Sequence, residues 1–339
     1  MRVAITGLGK AVPERVVTNE ELSPLVGVTA EWIETRTGIL ERRYASSEDS
    51  ASSLGARAAR EAMAVAHVEP TDISTIITAT CTPDYLLPAT SNIIQNALGA
   101  KNAASFDLAA ACSGFVYSLA IGASLIDSGA SRRVLIVGVD LLSRHLDFSD
   151  PLTAPLFGDA AAAVVLEADD STEPMRIELG SDGSGMMQVT IPGGGSKLSE
   201  DVPQDPSRLL IKMAGREVFR NAVRVMSDLG NRFGTDSFDL LVAHQANRRI
   251  LNECADQMHI SRDKVYVNIQ RYGNTSAASI PLALCEAWEE GKLTAGERLL
   301  MLAFGAGYTW GAAAMKWTLP SPGPAGQKAP ADELAHQPA

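Results

Sequence analysis

Cysteine is scarce in this chain of 339 residues, which has four cysteines, at positions 81, 112, 254 and 285, and no CxxC pair. A zinc or dithiol redox motif is therefore not expected, and isolated thiols are typical of a cytoplasmic protein. The chain also lacks an apolar run long enough to span a membrane. Its first residues, MRVAITG, predict a strand and a turn rather than a signal peptide.

Positive charge and aromatic residues are also in short supply. The formal net charge is −11 and aromatic residues make up 5% of the chain. An acidic protein lacks the basic surface that phosphate contacts require, so nucleic acid is excluded as a general partner, although a local basic patch is not. At 46% hydrophobic and 20% charged residues, the composition is that of an ordinary globular protein with a large core.

Strand-like and helix-like segments alternate along the chain, which predicts an α/β fold with parallel or mixed sheets. The predicted strands cover residues 3–6, 75–79, 104–108, 134–139, 161–166, 240–243, 265–267, 299–304 and 312–318. The predicted helices cover residues 52–66, 91–98, 114–128, 215–229, 248–258 and 277–290.

The second set of segments repeats the order of the first, which predicts two similar halves that face each other. We expect an N-terminal half over residues 1–170 and a C-terminal half over 211–320. Residues 171–210, rich in glycine, aspartate, proline and serine, are expected to form a loop-rich connection. Residues 321–339, rich in proline and alanine, are expected to be a disordered tail.

Three polar residues stand in frames of small residues, each after an apolar run. Cys112 lies in DLAAACSGF, His244 in LVAHQANR and Asn274 in YGNTSAAS. A thiol, an imidazole and an amide placed in this way suggest covalent thioester chemistry. Cys112 precedes a predicted helix, whose N-terminus favours the thiolate, and its backbone N–H is a candidate oxyanion donor.

Each of these residues also has a structural explanation when it is considered alone. A cysteine is most often a buried and inert side chain. A lone histidine is most often a core residue with satisfied hydrogen bonds, and asparagine is a good helix N-cap. The three frames occur together in one chain, and this combination favours the catalytic interpretation.

The three frames, taken together, resemble those of β-ketoacyl-acyl carrier protein (ACP) synthase III, the initiating condensing enzymes of the thiolase superfamily. The resemblance extends from Arg2 to about Leu319. Further matching stretches are residues 31–39, 156–159, 213–219 and 304–311.

The resemblance implies a five-layered αβαβα thiolase-like fold with two pseudo-repeated halves, a homodimer, and a catalytic set of Cys112, His244 and Asn274. It implies that Cys112 takes an acyl group from acyl-CoA. Malonyl-ACP then loses CO2, and its carbanion attacks the acyl-enzyme to give 3-ketoacyl-ACP. No metal or organic cofactor is implied, because acyl-CoA and malonyl-ACP are substrates.

The resemblance also implies roles around this centre. The backbone N–H groups of Cys112 and Ala306 would form an oxyanion hole. The positions expected to bind CoA are Trp32, Arg36 and Asn247, and those expected to line the acyl pocket are Leu87 and Phe304. The expected carrier-protein contact is Arg249 first, followed by Arg248, Arg216, Arg220 and Arg224; for any one arginine a solvated helix face is the alternative.

Several positions depart from the family pattern. Pro151 stands where many relatives have an arginine that contacts CoA, and Ala160, Ala162 and Ala306 replace glycines. Leu87 stands where acetyl-selective members often have phenylalanine, which leaves room for a longer or branched starter. The departures keep open a ketosynthase of polyketide or secondary metabolism with a longer, branched or carrier-bound donor. A non-catalytic partner subunit is the third hypothesis.

Overall fold

A computed structural model of the protein describes residues 1–196 and 205–322. Residues 323–339 of the expected disordered tail lie outside the described residues. The strands are β1 (Val3–Ala11), β2 (Arg15–Thr18), β3 (Glu41–Tyr44), β4 (Thr75–Ala79), β5 (Ala104–Leu108), β6 (Arg133–Leu141), β7 (Asp159–Ala168), β8 (Arg176–Ser181), β9 (Val189–Thr190), β10 (Lys212–Met213), β11 (Leu240–Ala243), β12 (Arg298–Gly305) and β13 (Thr309–Lys316). The α-helices are α1 (Asn19–Val26), α2 (Ala30–Thr37), α3 (Ala51–Ala66), α4 (Thr90–Leu98), α5 (Gly114–Asp127), α6 (Gly215–Phe233), α7 (Arg248–Gln257), α8 (Ile269–Tyr272) and α9 (Ser279–Glu289).

Two mixed sheets form the framework of the molecule. The first has five strands in the order β1-β7-β6-β4-β5, and the second has four in the order β11-β12-β13-β8. In the first sheet β6, β4 and β5 are parallel, while β1 and β7 are antiparallel to their neighbours. The strands β4, β6 and β7 are almost entirely buried, and each reads as an apolar run because helices cover both faces.

The sheets and helices stack in five layers, which confirms the predicted αβαβα arrangement. Helix α3 packs on the outer face of the first sheet, and α6 and α7 pack on the outer face of the second. Between the sheets lie α5 and α9, which contact strands of both. Helix α5 is apolar around most of its circumference, as expected for a helix enclosed by two sheets.

The two sheets repeat one topology. In the first, two antiparallel pairings (β1 with β7, β7 with β6) are followed by two parallel ones. In the second, β8 with β13 and β13 with β12 are antiparallel, and β12 with β11 is parallel. The last parallel partner is reduced to a bridge between Leu241 and Val265. Residues 265–267 therefore do not form the predicted strand, but the second sheet still repeats the strand order of the first.

The predicted segments differ from the observed ones mainly where elements are short and polar. The segment expected to be a loop-rich connection contains β8, an edge strand of the second sheet, as well as loops. No residue of β8 is fully buried, and its sequence RIELGS contains only two apolar side chains, so its apolar pattern is weak. The paired strands β2 and β3 and helices α1 and α2 were not predicted for the same reason. No helix within residues 1–196 and 205–322 is long and apolar enough to cross a membrane.

Candidate active site

Cys112 lies at the start of the connection from β5 through α5 to β6. The chain leaves β5 and makes a 3-10 turn over Ala111–Ser113 before α5 begins at Gly114. Ala111 has a φ of 46°, a left-handed conformation that costs free energy in alanine and presents the next side chain at a sharp turn. A Cβ on Gly114 would lie 2.9 Å from the Cβ of Ala79, so the close approach of α5 to β4 requires glycine.

His244 follows the last residue of β11. Its backbone N–H donates to the carbonyl of Leu302 at 2.8 Å, which extends the pairing of β11 with β12. The ring is 2% exposed, and its Nδ1 lies 2.6 Å from the hydroxyl of Ser279. Burial lowers the pKa of His244 to about 3, so the imidazole is neutral at physiological pH.

Asn274 is held between the two halves by its backbone. Its N–H donates to the carbonyl of Leu156 at 2.8 Å, and its carbonyl accepts from the N–H of Gly158 at 3.0 Å. The side-chain Oδ1 accepts the N–H of Ser276 at 2.9 Å, which fixes the orientation of the amide. Within the described residues Nδ2 has no acceptor, so its hydrogens are available to a ligand.

Two 3-10 turns, one before α5 and one before α9, bring the segments of Cys112, His244 and Asn274 into one region. The turn Ala111–Ser113 contacts the turn Ser276–Ala278, and Ser276 lowers the pKa of the Cys112 thiol. Since Ser276 follows Asn274 by two residues and Ser279 holds His244, one segment of the second half contacts or carries all three groups. Residues 274–279 therefore join the turn of Cys112 to the second half.

Burial raises the pKa of Cys112 to about 11, and the hydrogen bond from Ser276 lowers it by less than burial raises it. The expectation that the helix N-terminus favours the thiolate is therefore wrong for the resting chain. Burial of the sulfur is the largest cause, because a thiolate loses more solvation than a thiol, and the nearby carboxylate of Asp140 raises the pKa further.

The backbone around Ala306 lies against Cys112. A Cβ on Gly305 would be 2.9 Å from the backbone nitrogen of Cys112, which shows how closely the two segments approach. The hydroxyl of Thr309 donates to the carbonyls of Ala110 and Ala306, at 3.0 and 3.2 Å. Gly307 has a φ of 132°, whereas Ala306 has no positive φ. The alanine therefore needs no strained backbone here, and its N–H is retained.

A cavity of about 530 Å³ leads to Asn274. The predicted positions that line it are Trp32, Arg36, Asn247, Arg216 and Arg249.

The guanidinium of Arg36 lies 5.4 Å from the ring centre of Trp32, and that of Arg249 lies 5.5 Å from the ring centre of Phe219. Asn247 also caps α7, since its Oδ1 accepts the N–H of Arg249 at 2.8 Å. The cavity therefore has a cationic and aromatic lining above the amide of Asn274.

The other predicted positions do not line this cavity. Arg220 pairs with Glu217, on the exposed side of α6. Leu87 is 87% exposed in the single chain. The ring of Phe304 packs 4.9 Å from that of Tyr308. Arg224 and Arg248 are also absent from the lining, as are Cys112, His244 and Ala306.

The departures from the family pattern are accommodated in different ways. Ala160 and Ala162 are fully buried, and they pack with Tyr272, Ala278 and Leu282 beneath α9. Pro151 lies on the cavity wall, where it contributes apolar surface and no charge.

Several residues near the thiol were not found from the sequence. Asp140 is fully buried and accepts hydrogen bonds from the N–H and the thiol of Cys81, at 2.8 and 3.2 Å. The other carboxylate oxygen of Asp140 accepts the backbone N–H of Ala277 at 3.2 Å, which connects β6 to residues 274–279. Ser276 and Ser279 belong to the YGNTSAAS frame, and their spacing from Asn274 was the available signal. Nothing in the sequence around Cys81 or Asp140 indicates their position.

The described residues contain no group of three or more histidine, cysteine, aspartate or glutamate side chains that could hold a metal ion.

Comparisons with known proteins decide the family. Residues 106–183 match the family model described as 3-oxoacyl-[acyl-carrier-protein] synthase III, and residues 230–317 match the model of its C-terminal part. The chain is 42% identical over 325 residues to the β-ketoacyl-[acyl-carrier-protein] synthase III of Clostridioides difficile, covering 94% of this chain and 99% of that protein.

The chain belongs to the β-ketoacyl-ACP synthase III family.

Two solved structures place the enzyme in the same fold. The 3-oxoacyl-[acyl-carrier-protein] synthase III of Aquifex aeolicus matches with a TM-score of 0.86 and 39% identity, over 93% of this chain and 100% of that one. The priming β-ketosynthase of the R1128 polyketide pathway matches with a TM-score of 0.87 and 33% identity, over 94% and 97%. The enzyme is a condensing acyltransferase with a thiolase fold, as the sequence predicted.

Proposed function

We propose that this enzyme initiates fatty acid synthesis in two steps on one site. Cys112 first takes an acyl group from acyl-CoA. Malonyl-ACP is then decarboxylated, and its carbanion attacks the acyl carbon of the acyl-enzyme. The bond from that carbon to the sulfur of Cys112 breaks, which gives 3-ketoacyl-ACP and a Cys112 thiolate that takes a proton from solvent. The observation that carries this proposal is the contact between the two central turns, which places the Cys112 thiol against the segment that bears Asn274 and Ser279.

In the first step the sulfur of Cys112 attacks the thioester carbonyl, the bond from that carbon to the CoA sulfur breaks, and the thiol proton leaves with CoA. Negative charge develops on the carbonyl oxygen. The N–H groups of Cys112 and Ala306 are the proposed donors to this oxygen, and the close approach of Gly305 to Cys112 supports their convergence.

In the second step negative charge moves from the leaving CO2 group onto the malonyl thioester oxygen. The proposed donors to that oxygen are Nε2 of His244 and Nδ2 of Asn274. A histidine kept neutral by burial donates this hydrogen bond without transferring its proton, and an amide fixed through its oxygen presents its nitrogen. Two preorganised donors suit an enolate that exists only between decarboxylation and condensation.

The cavity above Asn274 is the proposed channel for the arm of CoA and of the carrier protein. Trp32 and Arg36 form a stacked pair suited to an adenine ring and a phosphate. Arg249 and Arg216 lie on the same wall and give a local positive charge on a protein of net charge −11. This charge would receive an acidic carrier protein. Pro151 stands where many relatives have an arginine that contacts CoA, so the proposed CoA contact has one cation fewer in this chain.

A second copy of the chain would complete the acyl pocket. Leu86 and Leu87 are 81% and 87% exposed, which is costly for neighbouring leucines in a monomer. The first sheet ends at β5, an edge strand with Phe106 partly exposed. We therefore propose a homodimer in which the Leu87 loop of each protomer lies over the acyl pocket of its partner.

The experiment is intact-mass analysis after incubation with a panel of acyl-CoAs and acyl-ACPs, with Cys112→Ala as the control. A mass gain on wild type alone supports the covalent step, and the best donor reports the primer. A short acyl-CoA supports fatty acid initiation. Carrier-bound, long or branched donors alone would favour a specialised pathway such as that of the R1128 relative. No gain from any donor would contradict both and revive a scaffolding subunit.

A further inference from the structure

Ser279 is a buried polar residue for which the proposed mechanism has no role. It is the first residue of α9, it is 1% exposed, and its hydroxyl lies 2.6 Å from Nδ1 of His244. The same oxygen accepts the backbone N–H of Gln245 at 3.3 Å. Both neighbours of the hydroxyl therefore belong to the His244 segment.

The number of hydrogens available decides how this contact is made. A neutral imidazole carries one N–H, on either Nδ1 or Nε2, and a serine hydroxyl carries one O–H. If Nδ1–H donated to Ser279, the oxygen would accept twice, once from His244 and once from Gln245. Its own hydrogen would then have no acceptor among the described residues. If the hydroxyl donates to Nδ1, all three polar groups are satisfied, as buried groups require.

We infer that Ser279 is a positioning residue that donates its hydrogen to Nδ1 of His244 and thereby holds the proton of the ring on Nε2. This inference rests on the proposed role of His244 as a donor to the malonyl thioester oxygen. The position equivalent to the carboxylate of a serine-protease triad is here a neutral hydroxyl.

The choice of a hydroxyl has a chemical consequence. A carboxylate beside Nδ1 accepts a hydrogen bond, which leaves Nε2 as a base and stabilises the imidazolium. A hydroxyl that donates to Nδ1 does the opposite, because it leaves Nε2 as a donor and offers no charge to an imidazolium. Decarboxylation should therefore depend on Ser279 more strongly than acylation of Cys112 does.

The first measurement is the tautomer itself, by 15N NMR of the full chain labelled at histidine, with His244→Ala used to assign the signal among the five histidines. The expected wild-type spectrum has an unprotonated Nδ1 and a protonated Nε2 for His244. A protonated Nδ1 in wild type would overturn the inference without reference to any other variant.

The second measurement separates the two steps in Ser279→Ala. CO2 release from malonyl-ACP is expected to fall about tenfold, while the rate of mass gain on Cys112 stays within about threefold of wild type. Ser279→Thr, which keeps the hydroxyl, should recover CO2 release and the wild-type tautomer. Ser118→Ala, which removes a fully buried hydroxyl from α5, should change neither rate.

Equal losses of both rates in Ser279→Ala, or an unchanged tautomer in that variant, would show that Ser279 only supports the fold. If wild type released no CO2 from malonyl-ACP, the proposed function would fail. The NMR result would still decide whether Ser279 sets the tautomer.

Discussion

The two halves of the molecule share one sheet topology but place different chemistry on equivalent turns. In each half a 3-10 turn leads into the central helix, and each turn contains a residue with positive φ, Ala111 at 46° and Ser276 at 51°. The first turn carries the Cys112 thiol, whereas the second follows a buried amide whose orientation is fixed. A duplicated framework therefore carries the proposed acyl-accepting thiol in one half and the proposed charge-stabilising donors in the other.

The largest expected effect tests the half that contains the proposed hydrogen-bond donors His244 and Asn274. Asn274→Ala removes one of the two proposed donors to the enolate oxygen, so CO2 release from malonyl-ACP should fall by a factor of about 100 to 1000. Acylation of Cys112, followed by intact mass, should remain close to the wild-type rate because this step uses backbone donors. A loss of both rates would show that the two halves do not divide the chemistry.

The next effect concerns the half that contains Cys112 and the pH dependence of its thiol. Burial raises the pKa of Cys112 to about 11. Below that pKa the thiolate fraction rises tenfold with each pH unit, so alkylation by iodoacetamide should accelerate about a hundredfold between pH 7 and pH 9. Cys112→Ala reports the background from the other cysteines. A rate that levels off near neutral pH would mean that the thiolate is already formed in the resting enzyme.

A smaller effect tests the approach of the two halves at the oxyanion hole. The methyl group in Gly305→Ala would lie 2.9 Å from the nitrogen of Cys112 and 3.1 Å from that of Ser113. Displacement of the Cys112 N–H, one of the two proposed oxyanion donors, should slow acylation by acyl-CoA about tenfold. Ala306→Gly is the matched control, and it should leave the rate unchanged because Ala306 needs no positive φ. Similar losses in both variants would place the donors elsewhere.

The smallest effect concerns the cavity wall. Arg249→Ala should raise the KM for malonyl-ACP about threefold with kcat unchanged, and the difference should shrink as salt is added, because the contact is a screened surface charge. The control is Arg232→Ala, since Arg232 pairs with Glu178 and does not line the cavity. An equal effect of the two variants would argue against docking at this wall.

The sequence predicted the layers, the repeat and the main helices because buried strands and amphipathic helices leave strong periodic signals. Helix α3, predicted over 52–66, begins one residue earlier at a Ser50 cap. Cys112 follows β5, His244 follows β11 and Asn274 follows the short helix α8, and the contact between the turns 111–113 and 276–278 brings these segments together. The pKa of Cys112 could not be predicted, since it depends on how much protein surrounds the sulfur.

Long-range contacts account for what the sequence did not reveal. The partners of Asp140 lie on β4's following loop and on the turn before α9, and the pairing of Ser279 with His244 joins residues 35 positions apart. Such contacts leave no periodic pattern along the chain. Leu87 and the homodimer remain predictions, because they depend on a second copy.

The most direct test of the division between the halves is a paired measurement on the same samples of wild type, Cys112→Ala and Asn274→Ala. Intact mass after incubation with acyl-CoA reports acylation in the half that contains Cys112. CO2 release from malonyl-ACP reports decarboxylation in the half that contains His244 and Asn274. We expect Cys112→Ala to lose the mass gain and keep CO2 release, and Asn274→Ala to show the reverse. Loss of both activities together in either variant would contradict the account.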